Sequence, residues 1–236
     1  MRMAQLRPLG YALVALLLVA AVVTGVLALR SHNAGGGSSA SAEPFPTLAA
    51  DPPRPVAVFI GDAYSAGVGA SEAAKRWTSI VSATQGWEAV NLAHGGAGYL
   101  VSEGTDDCGG SPCVNYQTTV ADAVRLGAAI VVVAGGSNDQ DADVDTVNAA
   151  IVSTYQGIRV GLPSAKIVAV GPTSPEPTAD LRAIDAAVER SALAVGATYV
   201  SLLDPPVVTA EPLPDGAFVD DEGHAAIADR VNAVLQ

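Results

Sequence analysis

An uninterrupted apolar run in the middle of the chain, from Ala128 to Ala134, constrains the possible fold more than any other feature of the sequence. A run this rich in Val and Ile, with no polar alternation, is typical of a parallel strand that is covered on both faces. A second such run, Val56 to Ile60, leads through Gly61 into a helix-like stretch. Because a sheet that is buried on both faces needs helices on both sides, the sequence predicts a layered α/β domain.

Strand-like and helix-like segments alternate along the rest of the chain, as a doubly wound parallel sheet requires. The predicted strands are residues 56–60, 87–92, 128–134, 166–170 and 197–202, and the predicted helices are residues 71–84, 116–126, 145–160, 178–195 and 222–235. Ser71 is the expected N-cap of the first of these helices. We find no internal repeat, so residues 56–236 are predicted to form one α/β domain with about five parallel strands.

The N-terminus carries a separate signal for targeting. Residues 9–29 form a run of about 20 uncharged, mostly apolar residues, which as a helix would be about 30 Å long, close to the thickness of a bilayer core. Residues 1–8 are expected to stay in the cytoplasm, because two arginines precede the run and one follows it. The alternative is a cleaved signal peptide, since Ala40-Ser41-Ala42 has the form of a cleavage site, although the apolar core of such a peptide usually has about 7–15 residues. Both alternatives place the domain outside the cytoplasm, either anchored in the cell membrane or secreted.

Residues 30–55 are rich in Gly, Ser and Pro, which predicts a linker with a flexible portion followed by a stiffer one. Three of the 12 basic residues flank the N-terminal apolar run, so the chain beyond residue 30 has 9 basic and 24 acidic residues, a net charge of −15. An acidic surface of this kind repels nucleic acid and anionic lipid headgroups. A nucleic-acid partner is therefore excluded, and membrane contact is assigned to the N-terminal segment.

Cys108 and Cys113 enclose a short Gly- and Pro-containing turn in the loop that follows the second strand. Outside the cytoplasm, two cysteines this close are expected to form a structural disulfide, for which the entropic model gives roughly 2 kcal/mol. A metal site would need further Cys or clustered His ligands, and a redox pair would be expected at C-x-x-C spacing. We therefore predict a disulfide, with no metal and no cofactor.

Four polar, Gly-containing segments follow the predicted strands or precede the last helix, where open α/β sheets bind their ligands. They are Gly61-Asp62-Ala63, Gly95-Gly96, Gly135 to Asp139, and Asp220 to His224. Their order and spacing resemble blocks one, two, three and five of the SGNH (GDSL) hydrolases, over the chain from about residue 56 to the C-terminus. The resemblance implies a flavodoxin-like three-layer α/β/α sandwich and an activity toward acyl esters.

The resemblance also implies a role for each block. Ala63 stands at the position of the nucleophilic serine, the backbone N–H of Gly96 and the amide of Asn138 would donate to the oxyanion, and Asp221 would orient His224 as the general base. Taken alone, Asn138 could be a turn residue and Gly96 a close-approach glycine. His224 could likewise be a first-turn helix residue beside acids that complement the helix dipole.

The absence of a hydroxyl at Ala63 leaves several alternatives open, because loss of the nucleophile in a serine protease costs roughly a million-fold in turnover. Ser65 could replace it, although two residues along a helix is a rotation of roughly 200°. His224 could activate water directly. The protein could also be a natural inactive relative or a variant inactivated on purpose. His94 could contact a substrate at the rim of the site or act as a hydrogen-bonding loop residue.

Two functions follow from these alternatives. The first is an extracytoplasmic SGNH-type esterase or acyl hydrolase acting on acyl esters of lipids or envelope glycans, impaired by Ala63. The second is a catalytically inactive binding protein of the cell envelope with the same fold, a pseudoenzyme.

Overall fold

The computed structural model describes residues 52–102, 114–208 and 219–236. In this part of the chain, a five-stranded, fully parallel sheet with the strand order β2-β1-β3-β4-β5 forms the centre of the fold. The strands are β1 (Val56–Gly61), β2 (Glu88–Asn91), β3 (Ile130–Ala134), β4 (Lys166–Val170) and β5 (Thr198–Val200). The order places β1 between β2 and β3, so the loops that follow these three strands leave the same edge of the sheet side by side. The predicted α/β class with about five parallel strands is confirmed.

Within the described residues, six helices connect and cover the strands, and short 3-10 turns lie at Ala73–Lys75 and Ser137–Asp139. The helices are α1 (Ala63–Ala66), α2 (Trp77–Gln85), α3 (Tyr116–Arg125), α4 (Val144–Gly161), α5 (Ala179–Ala194) and α6 (Asp221–Leu235). The last four begin at side chains that accept a hydrogen bond from a first-turn N–H, which are Asn115, Asp143, Thr178 and Asp220. Each satisfies a backbone donor that the helix itself leaves unpaired.

Alternate strand residues pack into two cores, one on each face of the sheet. Val131 and Val133 of β3 belong to the core that includes α3, α4 and α5. Ile130 and Val132 belong to the opposite core, which contains residues of α2 and α6 and in which Trp77 packs against the sheet. The central run is uninterrupted because both of its faces are covered by helices, which makes the fold a three-layer α/β/α sandwich.

The predicted helix over residues 71–84 is the main difference between sequence and structure. Helix α2 begins only at Trp77, and Ser71 is not its N-cap. The Ser71 backbone N–H and hydroxyl instead donate to the Asp221 carboxylate, at 2.8 and 2.7 Å. This long-range contact uses the side chain that a cap would need, so the segment runs as a loop and a single 3-10 turn before α2.

Several predictions for the N-terminal region and the Cys loop lie outside the described residues. These are the segment at residues 9–29, the linker up to residue 51 and the Cys108–Cys113 disulfide, and they stay predictions. In the part of the chain that the structure describes, no helix combines the length and apolar character needed to cross a membrane.

Candidate active site

The first block forms a tight turn between β1 and the four-residue helix α1. Asp62 caps this helix, since its Oδ1 accepts a hydrogen bond from the Tyr64 N–H at 3.0 Å. Ala63 is the first residue of α1 and is partly exposed at the carboxyl edge of the sheet. Asp62 is only 4% exposed, and this burial raises the pKa of its carboxyl group to about 6. Residue 63 is thus presented from a rigid, capped turn.

The first and third blocks touch because Gly135 has no side chain. A Cβ atom at Gly135 would lie 2.8 Å from Asp62 Oδ2, and its φ of 126° is one that residues with side chains rarely adopt. The backbone N–H of Gly135 donates to the Val170 carbonyl at 3.2 Å, which aligns the third block with the end of β4. The glycine therefore lets the turn after β3 pack directly against Asp62.

The second block lies against the first. The His94 N–H donates to the Gly61 carbonyl at 2.9 Å. A Cβ atom at Gly95 would lie 3.9 Å from the Cβ of Ala63. Gly96 is exposed and has a φ of 78°. The predicted neighbourhood of Ala63 and the Gly-rich loop is therefore present.

The third block holds the second through two adjacent side chains. The exposed Asn138 donates from Nδ2 to the Ala97 carbonyl at 2.8 Å. The Asp139 carboxylate accepts three consecutive backbone N–H groups, those of Tyr99, Leu100 and Val101, at 2.7, 3.1 and 2.9 Å. Asn138 and Asp139, which follow β3, therefore hold the Gly-rich loop that carries Gly96 in place.

Sequence reasoning missed Asp139 as a site residue. It is 1% exposed, and this burial raises the pKa of its carboxyl group. The residue in the sequence that reflects this contact is Gly98. A Cβ atom at Gly98 would lie 2.5 Å from both Asp139 carboxylate oxygens. Gly98 is therefore required by the close approach of the carboxylate to the loop.

His224 is completely buried, and both of its ring nitrogens face main-chain atoms. The Trp77 N–H lies 3.4 Å from Nδ1, and Nε2 lies 3.2 Å from the Val68 carbonyl oxygen. Since the first contact needs Nδ1 as an acceptor, we assign the proton to Nε2, which donates to Val68. Burial lowers the pKa of this imidazole below its ordinary value, so the ring is a neutral bridge between two loop positions.

The Asp221 carboxylate is not hydrogen-bonded to His224 in the structure, and the orienting role implied by the Asp-x-x-His spacing stays a prediction. The carboxylate accepts from Ser71 and from the Lys75 ammonium group, the latter at 2.8 Å. The hydrogen bond from Lys75 and those from Ser71 lower the pKa of Asp221 to about 2. Nδ1 of His224 already accepts a hydrogen bond from Trp77, whereas Ser71 and Lys75 donate three hydrogen bonds to the Asp221 carboxylate.

The main chain of Val68 contacts both His224 and Ala63. The Val68 N–H donates to the Ala63 carbonyl at 3.0 Å, while the Val68 carbonyl accepts from the imidazole. Val68 follows Gly67, the residue at which α1 ends, whereas Ala63 begins this helix. The structure therefore brings together the first three blocks and places His224 and Asp221 against the segment from Val68 to Trp77.

Ser65 does not replace the missing hydroxyl in this arrangement. It is 2% exposed, and its hydroxyl packs against Gly61, beneath the first turn. Its carbonyl accepts from Asn91 Nδ2 at 2.7 Å. Within the described ranges, no group of three or more His, Cys, Asp or Glu side chains is placed to hold a metal ion.

Comparisons with known proteins agree with this architecture. A family model described as the GDSL-like lipase/acylhydrolase family matches residues 59–226. No curated protein matches the chain. The crystal structure of TesA is 19% identical with a TM-score of 0.60, covering 77% of this chain and 98% of TesA.

Two carbohydrate esterases show the same fold at similarly low identity. A family two carbohydrate esterase from Cellvibrio japonicus is 17% identical with a TM-score of 0.61, covering 78% of this chain and 61% of its own. A family two carbohydrate esterase from Clostridium thermocellum in complex with cellohexaose is 17% identical with a TM-score of 0.57, covering 79% of this chain and 65% of its own. Because the family model spans more than half of the sequence, over the same blocks that form the site, the chain belongs to the GDSL-like lipase/acylhydrolase family.

Proposed function

We propose that this chain is a catalytically silent, ligand-binding member of its family that acts outside the cytoplasm. The observation that carries the proposal is the sequestration of His224, whose two ring nitrogens are both engaged by main-chain atoms. A serine esterase needs a hydroxyl and a base within about 2.6–3.2 Å of each other. Here Ala63 lacks the hydroxyl, and Nε2 of the imidazole is engaged by the Val68 carbonyl.

Few other groups could supply the base. The chain has 3 histidines, of which His32 belongs to the N-terminal region and His94 to the Gly-rich loop. Asp221 is engaged by Ser71 and Lys75. The proposal therefore assigns the family's pocket to recognition and not to turnover.

The recognition surface would be the loop that Asn138 and Asp139 hold in place. The donors we propose are the N–H of Gly96 and the Asn138 amide, both of which suit a carbonyl or ester oxygen. The ligand class we propose is an acyl ester of a lipid or an envelope glycan. Support for the glycan comes from the fold shared with the Clostridium thermocellum esterase that was solved with cellohexaose. Residues 9–29 would anchor the protein, or direct its secretion, and the Cys108–Cys113 loop would contribute to specificity.

The proposal is tested by restoring the nucleophile. Purified wild-type protein and Ala63→Ser are treated with a fluorophosphonate probe and assayed on short-chain aryl esters, with His224→Ala in the Ala63→Ser background as the control. We expect no labelling and no turnover above background in any of them. Turnover by Ala63→Ser that is lost in the double variant would show instead an esterase that lacks only its serine. Labelling of the wild-type protein at Ser65 would also contradict the proposal.

Binding is tested separately by calorimetry with cellohexaose, O-acetylated cellohexaose and a short-chain monoacylglycerol. We expect at least one acylated compound to bind the wild-type protein, and Asn138→Ala to weaken that binding by about tenfold, the size of one lost hydrogen bond. Binding that is unchanged in Asn138→Ala would place the ligand outside this site.

A further inference from the structure

A small cavity lies where β1, β3 and β4 end, next to the turn that carries residue 63. Its walls include Asp62, Ser65, Gly135, Gly171, Thr173 and Ile227. The room for a water-sized occupant is about 10 Å³, which corresponds to about one water molecule.

Thr173 supplies an unpaired polar atom to this cavity. The residue is 6% exposed, and its Oγ1 is buried without a hydrogen-bond partner among the described residues. Its carbonyl is engaged, since it accepts from the Ser137 hydroxyl at 3.0 Å. In native proteins, a buried hydroxyl of this kind is nearly always bonded to protein or to ordered water, because leaving it unpaired costs stability.

Asp62 supplies a second polar group on the other side of the cavity. Its Oδ1 accepts from the Tyr64 N–H, while its Oδ2 lies close to Gly135, another residue of the cavity wall. A buried water needs two to four polar partners to be held in place. The Thr173 hydroxyl and the Asp62 carboxyl group meet this requirement, whereas the remaining wall is largely apolar.

We propose that this cavity is a binding site for one water molecule, hydrogen-bonded to Thr173 Oγ1 and to the Asp62 carboxyl group. The water joins the loop after β4, which carries Thr173, to the turn that begins α1, which carries Asp62. This site differs from the ligand-binding surface beside Gly96. It does not depend on the proposed function, because it requires neither a ligand nor turnover.

The first test is Thr173→Val, which removes the hydroxyl and keeps the shape of the side chain. Thr154→Val is the matched control, because Thr154 is 1% exposed and its hydroxyl donates to the Ala150 carbonyl at 2.8 Å. If water satisfies Thr173, both variants lose one hydrogen bond, and we expect the Tm of each to fall by about 2–4 °C. A Thr173→Val variant with an unchanged or higher Tm, beside a destabilised Thr154→Val, would overturn the proposal, because removing an unpaired hydroxyl relieves a penalty.

The second test uses the unaltered protein, so that it does not depend on how well a variant folds. A high-resolution crystal structure should show one ordered water within hydrogen-bond distance of Thr173 Oγ1 and of an Asp62 carboxyl oxygen. An empty cavity, or a Thr173 hydroxyl bonded to another protein group, would refute the site.

Discussion

The imidazole of His224 contacts the carbonyl of Val68, the residue after the C-cap of the helix that Ala63 begins. The ring holds both ends of the segment from Val68 to Trp77, because its other nitrogen accepts a hydrogen bond from the Trp77 N–H. The histidine in the fifth block is thus a structural bridge between α6 and the segment that links α1 to α2.

Replacing His224 should destabilise the protein. His224→Ala leaves the Trp77 N–H and the Val68 carbonyl unpaired in a buried site and creates a cavity, so we expect the free energy of unfolding to fall by about 3 kcal/mol. The measurement is urea denaturation monitored by tryptophan fluorescence, with Val160→Ala as the control at a position that is 81% exposed, where the change should stay within about 0.5 kcal/mol.

The effect of His224 should also depend on pH. Burial lowers the pKa of the imidazole below 6.5, so the native state binds fewer protons than the unfolded state in the window just below that value. The stability that His224 contributes is therefore complete above 6.5 and decreases as the pH falls through the unfolded pKa toward the folded one. Equal stability of the wild-type protein and His224→Ala at neutral pH would contradict the structural role.

Asp221 should act on the segment from Ser71 to Lys75 and not on His224. Its carboxylate accepts from Ser71 N, Ser71 Oγ and Lys75 Nζ. Asp221→Ala should therefore increase hydrogen exchange of the amides at residues 71–75 several-fold, with Glu222→Ala, the neighbouring exposed acid, as the control. The pKa of the His224 ring, measured by NMR titration, should fall only slightly in Asp221→Ala, because burial is the main influence on it and the charge of Asp221 a smaller, opposing one. A large shift, with unchanged exchange at residues 71–75, would restore the predicted pairing of Asp221 with the imidazole.

The sequence predicts the layers of this fold well because they depend on local pattern. Apolar runs such as Val56 to Ile60 and Ala128 to Ala134 can be satisfied only where both faces are covered, and the structure buries Ala57 to Ile60 and Ile130 to Ala134. Side chains next to the helix starts, including Asp220, cap the helices as their residue types favour. Buried strands and helix caps can therefore be predicted from a few consecutive residues of the sequence.

The partners of the site residues could not be predicted in the same way. Ser71 and Asp221 are 150 positions apart, and nothing in the local pattern of Asp220-Asp221-Glu222 distinguishes the acid that caps the helix from the acid that binds Lys75. Asp139 likewise meets Tyr99 across 40 positions. Such choices among chemically equal side chains are decided by the tertiary placement of donors, which spacing along the chain does not contain.

Gly98 should be intolerant of a side chain because Asp139 occupies the adjoining space. A Cβ atom there would lie 2.5 Å from both carboxylate oxygens, so Gly98→Ala must displace the carboxylate from three backbone N–H groups. We expect a loss of about 3 kcal/mol in the free energy of unfolding. Gly86→Ala is the control: it has a φ of 69° and no atom within 4 Å of the added Cβ, so it should cost only the backbone strain of about 1 kcal/mol. Equal costs for the two variants would show that Asp139 does not confine the loop.

Because of Asp62, the protein should be less stable above neutral pH than at acidic pH. A capping carboxylate usually has the opposite effect, because its contribution to stability is lost as the pH falls. Burial raises its pKa from 3.8 to about 6, so the native state keeps its proton where the unfolded state has lost it. Stability therefore falls as the pH rises between these values, and the penalty above the folded pKa is roughly 3 kcal/mol from a shift of about two pKa units.

Asp62→Asn isolates this contribution. The asparagine amide oxygen can still accept from the Tyr64 N–H, so the cap is retained while the buried charge is removed. We expect Asp62→Asn to be more stable than the wild-type protein at about pH 8, and the two to converge at about pH 4, where the wild-type carboxyl group is neutral in the native state. Urea denaturation of both proteins across this range measures the difference directly. A wild-type protein that is the more stable of the two at about pH 8 would mean that hydrogen bonds to the ionised carboxylate outweigh the cost of its burial.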